Sequence, residues 1–182
     1  MTIKQKIKYH CTNKKYCQIK RKVGGDKFLN SEGYIVDFSR EFIVVQEVND
    51  FRVLGYYIFP ISTVVDIRYN NMDKYFNKIL IKEKQVELVK NKYPLDLTDW
   101  TTIFKSIKNA GLNIIVECEA PDDDDFIIGP ITKITKSAVS IHFISTNGYL
   151  FPEPTRVTYN RITVTRFDDN YVNVFSKYIR QR

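Results

Sequence analysis

The chain has 182 residues, 43% hydrophobic and 27% charged, with a formal net charge of +7. This is the composition of a globular protein and excludes a disordered or fibrous one. No run approaches the roughly 18 apolar residues that a membrane-spanning helix needs, and the opening Met-Thr-Ile-Lys-Gln-Lys-Ile-Lys lacks the apolar stretch of a secretion signal.

Charge is unevenly placed. Residues 1–27 hold nine Lys or Arg against one acid, Asp26, so this segment carries +8 and the remainder about −1. Such a segment reads either as a phosphate-binding arm or as a solvated face. Cys11, Cys17 and Cys118 are odd in number and have no paired spacing, which points to reduced thiols and a cytoplasmic compartment.

Ile7–Cys11 and Tyr16–Val23 read as short strands, the second alternating Cys17, Ile19, Arg21 and Val23, with a turn at Gly24-Gly25-Asp26. Residues 34–38 and 42–48 are dense in Val, Ile, Phe and Tyr and flank the polar Ser39-Arg40-Glu41, the pattern of a hairpin. Ile35 and Phe38 are core candidates three residues apart, so burying both requires a bulge or bend between them. Tyr56–Ile61 and Val64–Tyr69 complete roughly five strands, and closure into a small barrel would remove their exposed edges.

From Asn71 the period changes. Met72, Tyr75, Phe76, Ile79 and Leu80 form an amphipathic helix stripe that extends to about Lys90, with Pro94 closing the segment. Thr98 is the expected N-cap of a second helix bearing Trp100, Ile103, Phe104 and Ile107, with Gly111 at its end. Strands follow at Ile114–Glu119, Ile127–Ile134, Ala138–Ile144, Arg156–Tyr159 and Arg161–Phe167, and a last helix starts near Asn170. Pro121 and Asp122–Asp125 are expected to form a loop, and Asn147-Gly148 a turn.

The second half echoes the first. Gly129, Ile131, Ile134, Thr135, Ala138, Val139 and Ile141 have the spacing of Gly33, Ile35, Phe38, Ser39, Phe42, Ile43 and Val45. Downstream, Ile67-Arg-Tyr-Asn70 and Phe76-Asn-Lys78 are answered by Thr165-Arg-Phe-Asp168 and Phe175-Ser-Lys177. A tandem duplication is expected, with units at residues 1–92 and 93–182.

The helix and five bent strands, with Gly-x-Ile-x-x-Phe-Ser-x-x-Phe at Gly33–Phe42 and Gly-x-Ile-x-x-Ile-Thr-x-x-Ala at Gly129–Ala138, resemble the first motif of Sm-like small barrels. Ile61-Ser-Thr-Val-Val65 is similar to the closing strand of the bacterial host-factor RNA chaperone branch, and the chain also resembles uncharacterised bacterial two-unit proteins. The resemblance implies a mainly β, α+β protein of two tandem Sm-like or SH3-like barrels, each followed by a helix. It further implies a ring-forming binder of single-stranded, often uridine-rich RNA. The sequence departs from the family at its RNA contacts: Ile43 and Val139 stand where the family has Asn, and Ile58-Phe59 where the chaperone branch has Lys-His.

No catalytic constellation stands out. His10 and His142 are the only histidines, and His10, Cys11 and Cys17 match no standard zinc spacing and lack a fourth ligand. Asp122–Asp125 lacks the alternation and glycine of a calcium loop and reads as a solvated turn, and Gly24-Gly25 lacks the Lys-Ser/Thr of a P-loop. What remains is a surface. Lys14, Lys15, Lys20, Arg21 and Lys22, with Tyr56, Tyr57 and Phe59 near a strand edge, are the candidate nucleic-acid contacts, through backbone neutralisation and base stacking. Burial of at least two of those aromatics in the core is the competing reading. The expected function is therefore a non-enzymatic binding module for single-stranded RNA or, alternatively, for another protein, with no metal, cofactor or membrane partner and with oligomer formation left open.

Overall fold

The computed structural model describes residues 1–180. Over the described residues the chain is α+β: four α-helices accompany an eight-stranded antiparallel sheet and a second sheet of three strands. The first half runs α1 (Ile3–Asn13), β1 (Tyr16–Gly24), β2 (Lys27–Phe38), β3 (Phe42–Asn49), β4 (Arg52–Pro60), a 3-10 turn at Ile61–Thr63, β5 (Val64–Arg68) and α2 (Asn71–Lys82). The second runs α3 (Trp100–Asn109), β6 (Ile114–Ala120), β7 (Asp123–Gly129), β8 (Ile131–Ile134), β9 (Ala138–Ile141), β10 (Thr155–Thr158), a 3-10 turn at Tyr159–Arg161, β11 (Val164–Phe167) and α4 (Asn170–Lys177).

The large sheet has the order β5-β1-β2-β3-β4-β11-β6-β7, and the small one β10-β9-β8. The two closed barrels expected from the sequence are not formed as such. The outer edge of β4 is taken by β11, with Ile58 opposite Thr165 and Tyr56 opposite Phe167, so one continuous sheet runs through both halves. Pairing of β4 with β11 satisfies the backbone edge that barrel closure would otherwise have satisfied.

Local geometry recurs at the two glycine motifs. Gly33 and Gly129 both have φ +152°, and a Cβ at either would lie 2.1 Å from a backbone oxygen, of Gln46 and His142 respectively, so only glycine fits this approach. A bulge follows each, between Ile35 and Asp37 and between Ile131 and Lys133. The side-chain oxygens of Ser39 and Thr135 then accept from the amides of Phe42 (3.0 Å) and Ala138 (3.1 Å). The expected bend is thus present, but it leaves Phe38 38% exposed while Ile35 is buried.

Four expected features differ. Residues 3–13 form a helix instead of a strand at Ile7–Cys11, because Thr2 and Gln5 make a capping box and His10 returns to the Lys15 carbonyl at 3.0 Å. The α2 helix stops at Lys82, not near Lys90; Lys84 turns to φ +58° and a short 3-10 helix takes Gln85–Leu88. Asp123–Asp125 lies in β7, paired with Cys118–Ala120, where a loop was expected. The N-cap of α3 is Asp99, one residue after Thr98.

The centre of the sheet is covered on both sides, which is why every residue from Phe42 to Val48 is buried. On one side α3 inserts Trp100, Ile103, Phe104 and Ile107 among Phe42, Val44, Tyr56 and Ile58 of the first half and Val116, Val139 and Phe167 of the second. On the other, Ile7 of α1 packs with Ile19, Ile35, Ile43, Phe59 and Ile67. Among the described residues no helix is long and apolar enough to cross a membrane.

Candidate functional site

Alternation along β1 sorts the basic segment into two faces. Cys17, Ile19, Arg21 and Val23 point inward and are buried, while Lys20 and Lys22 are exposed on the outer face. The hairpin register sets Lys22 opposite Phe28, Lys20 opposite Asn30 and Gln18 opposite Glu32, and on the other flank β5 sets Asp66 beside Lys20 and Arg68 beside Gln18. Phe28 is 42% exposed, and the ammonium groups of Lys20 and Lys22 lie 4.5 and 5.8 Å from its ring centre. The ring is partly open to solvent and carries both ammonium groups as cation–π contacts.

From Phe28 the outer face continues as a groove over Gln18, Lys20, Asn30, Asp66 and Arg68, about 240 Å³ in volume. It runs on toward a larger cavity of about 710 Å³, lined among others by Tyr16, Glu32, Phe51, Arg68, Tyr75 and Phe76. Lys22 to Tyr16 is six steps of strand, roughly 20 Å at ~3.3 Å per residue. The groove acids are engaged by neighbours: Asp66 accepts from Lys6 Nζ (2.6 Å), and Asp73 accepts from Arg68 Nε and Nη2 (3.1 and 2.9 Å). The Lys6 hydrogen bond holds the Asp66 carboxyl below its ordinary range, and the Asp73 hydrogen bond raises Arg68 further. Beside the lysines, then, Asp66 and Asp73 are each paired with a cation, while Glu32 is held by the Tyr16 hydroxyl.

Of the residues singled out from the sequence, the structure brings together Lys20 and Lys22. Arg21 points the other way and is 3% exposed; its guanidinium grips both oxygens of Glu119 (2.8 and 3.0 Å) and donates to Ser31 Oγ (3.0 Å). Lys14 and Lys15 form the turn between α1 and β1, with Lys14 in the left-handed region and its ammonium directed at the Val89 carbonyl (3.4 Å). The aromatic trio is not a stacking surface. Tyr56 (3% exposed) stacks on Phe167 at 5.1 Å, Phe59 is fully buried, and half-buried Tyr57 lies under the Arg166 guanidinium and accepts its Nη2 at 2.8 Å. They belong to a strand buried on both faces. Phe28, Arg68 and the aromatic cavity were not singled out, although Gly24-Gly25-Asp26 as a turn already sets Lys22 against Phe28.

Two other clusters of ionisable groups are present. Cys118, Asp123 and Asp125 converge, but Arg161 lies between the carboxylates, donating from Nε to Asp123 at 2.7 Å and from Nη2 to both acids. A guanidinium supplies the positive charge there, and burial pushes the Cys118 thiol up to about 11, which disfavours the thiolate that a metal requires. His10, Cys11 and Cys17 do not converge as a ligand set among the described residues. His142 is tied by Nε2 to the Phe151 carbonyl at 2.6 Å.

The second cluster ties the halves together. Arg166 of β11 faces Glu47 (3.4 Å), Glu117 (3.6 Å) and Asp169 (3.9 Å), beside the Arg21–Glu119 pair and a polar cavity of about 240 Å³. Burial raises the Glu117 carboxyl above its ordinary range against the opposing pull of Arg166. Two guanidiniums here face four carboxylates, and the raised Glu117 carboxyl takes up part of that excess of acid. Comparison with protein-family models, with curated proteins and with solved structures found no match.

Proposed function

We propose that this protein is a non-enzymatic, intracellular binder of single-stranded nucleic acid, RNA foremost, and that the strand lies along the outer face of β5-β1-β2. The observation that carries the reading is Phe28, exposed and flanked by Lys20 and Lys22 at the head of the groove. Bases stack on the ring and phosphates meet the lysines, which gives affinity with little dependence on sequence. Fluorescence anisotropy of a labelled uridine nonamer across a salt series tests it. Each lost phosphate contact lowers the slope of log K against log salt by about 0.7 for a single strand, so K20A/K22A should remove roughly 1.4. Binding that ignores both salt and these lysines would refute the reading.

The architecture under this reading is a tandem of one small bent-strand unit, Sm-like in its motif. Matching glycine approaches, bulges and Ser39/Thr135 turns in the two halves support it. Oligomer formation fits the same scheme. The fourth strand of the first half, β4, joins the last strand of the second, β11, while among the described residues their counterparts β10 and β5 each have one edge without a strand neighbour. Pairing of β10 with β5 of another copy would repeat the internal seam.

A protein-interaction role is the second reading, favoured by the aromatic face of α4, where Tyr171 and Tyr178 are 54% and 73% exposed and Tyr171 stacks on Phe175. Capture of a defined partner that survives nuclease treatment and is lost on Tyr171→Ala would support it over the first.

A further inference from the structure

The groove ends in the 710 Å³ cavity between the β3–β4 hairpin, β2 and α2, and we propose that this cavity is a guanine-selective base pocket. The inference rests on the nucleic-acid reading above and adds to it a discrimination that the Lys20–Phe28 strip does not make. Its volume lies within the range of about 300–1,000 Å³ typical of small-ligand sites.

The apolar walls are aromatic. Phe51 stacks on Phe76 with ring centres 4.6 Å apart, and Phe76 packs on Tyr16 at 4.8 Å. Tyr75 and Met72 stand at the rim, 67% and 73% exposed. The hairpin holds Phe51 there at a conformational cost: Asp50 and Phe51 have φ +46° and +60°, a two-residue turn that ordinarily takes Asn-Gly. A bulky side chain in the left-handed region is an outlier of the kind found at binding sites. Here it places an aromatic ring over the cavity.

The polar edge is Glu32. Tyr16 donates its hydroxyl to Oε2 at 2.5 Å and so fixes the carboxylate, and Arg68 lies near enough to feel its charge without forming a salt bridge to it. A carboxylate offers about four acceptor positions, and Tyr16 occupies one. Arg68, the lining cation, is committed to Asp73 through two hydrogen bonds. With Asp50 also at the lining, the cavity is net negative, which repels phosphate and attracts a hydrogen-bond donor edge.

Among the nucleobases, guanine alone presents two adjacent donors, N1–H and the N2 amino group, matched to the two oxygens of a carboxylate. Uracil flanks its one N–H with carbonyls, and adenine and cytosine place an acceptor beside their amino group, which a carboxylate opposes. The division of labour follows. Lys20 and Lys22 hold backbone, Phe28 stacks any base, and Glu32 with Phe51 and Phe76 selects guanine at one end of the bound segment.

The test compares three RNA nonamers by fluorescence anisotropy: all uridine, uridine with one terminal guanosine, and the same with inosine, which lacks the N2 amino group. The wild type should bind the guanosine nonamer about tenfold more tightly than the all-uridine one, the discrimination expected of a bidentate contact, and the inosine nonamer should lose most of that gain. Glu32→Gln, which preserves shape and the Tyr16 contact, should bring the guanosine and uridine nonamers within twofold without weakening uridine binding. Phe51→Ala should do the same through the wall. K20A/K22A should weaken all three nonamers in parallel. Wild-type affinities within twofold of one another, or a preference that survives Glu32→Gln, overturn the pocket while leaving the strip intact. Failure to bind any nonamer overturns both.

Discussion

Arg21→Ala removes the one basic residue of the N-terminal segment that the fold turns inward. In the native chain the guanidinium and the Glu119 carboxylate, with side chains 4% and 12% exposed, share two hydrogen bonds between β1 and β6. After truncation Glu119 keeps only the Thr163 hydroxyl at 2.6 Å and the surrounding apolar packing, and Ser31 loses its donor. An unpaired buried carboxylate costs about 3–5 kcal/mol. For a chain of this size each kcal/mol lowers Tm by about 2–4 °C, so calorimetry should show a fall of about 10 °C. The double replacement R21M/E119L removes both charges together and should restore most of that loss, because desolvation of the pair offsets much of its attraction. A fall under about 2 °C for Arg21→Ala, or a double variant less stable than the single, would refute the assignment of this pair as the tie between the halves.

Gly33→Ala and Gly129→Ala should each destabilise the chain by about 3 kcal/mol in urea titrations, because the new Cβ meets a carbonyl oxygen in a backbone region closed to alanine; an effect at one site and none at the other would break the correspondence of the two halves. Burial raises the Glu117 carboxyl, in sight of Arg166, Glu119, Arg21 and Asp169, so the folded state holds that proton more tightly than the unfolded chain. Its contribution is present below about pH 4.5 and lost as pH rises, so Glu117→Gln should match or exceed wild-type stability at neutral pH, with the difference closing as pH falls. Asp168 has the opposite sign: burial pushes its carboxyl up, but hydrogen bonds from Tyr93, Lys92 and Asn173 outweigh that and hold it below its ordinary value. Its stabilisation is present above about pH 4 and lost on further acidification, and Asp168→Asn should flatten that acid limb of a thermal-melt series.

Local rules decided most of the elements. Val, Ile and aromatic runs between polar turns located β1, β3, β4 and β5 within about four residues but only the second half of β2, which starts at Lys27 and not at Tyr34; the Ile35/Phe38 phase change located the β2 bulge, because these signals lie within one or two strands. The first helix was obscured by its own charge: Ile3 and Ile7 face the protein, but the intervening lysines hid the helical period, and the capping pair Thr2–Gln5 was the cue. Barrel closure was beyond reach for a different reason. Alternation tells which face of β4 is apolar, but not whether its edge meets β5 or β11, which is a non-local choice. The same limit divided the site. That Lys20 and Lys22 share a face follows from alternation and Phe28 from the turn, whereas Tyr56 and Phe59 read as surface only while α3 and α1, which cover the two faces of their strand, were unplaced.

The claim that the outer face of β5-β1-β2 is the binding surface is tested most directly by amide chemical-shift mapping of the labelled protein titrated with a uridine nonamer. Gln18, Lys20, Lys22, Phe28, Asn30 and Arg68 should shift together and saturate on one isotherm, while the α4 face stays fixed. Shifts confined to α4 and β7, with β1 and β2 silent, would contradict it.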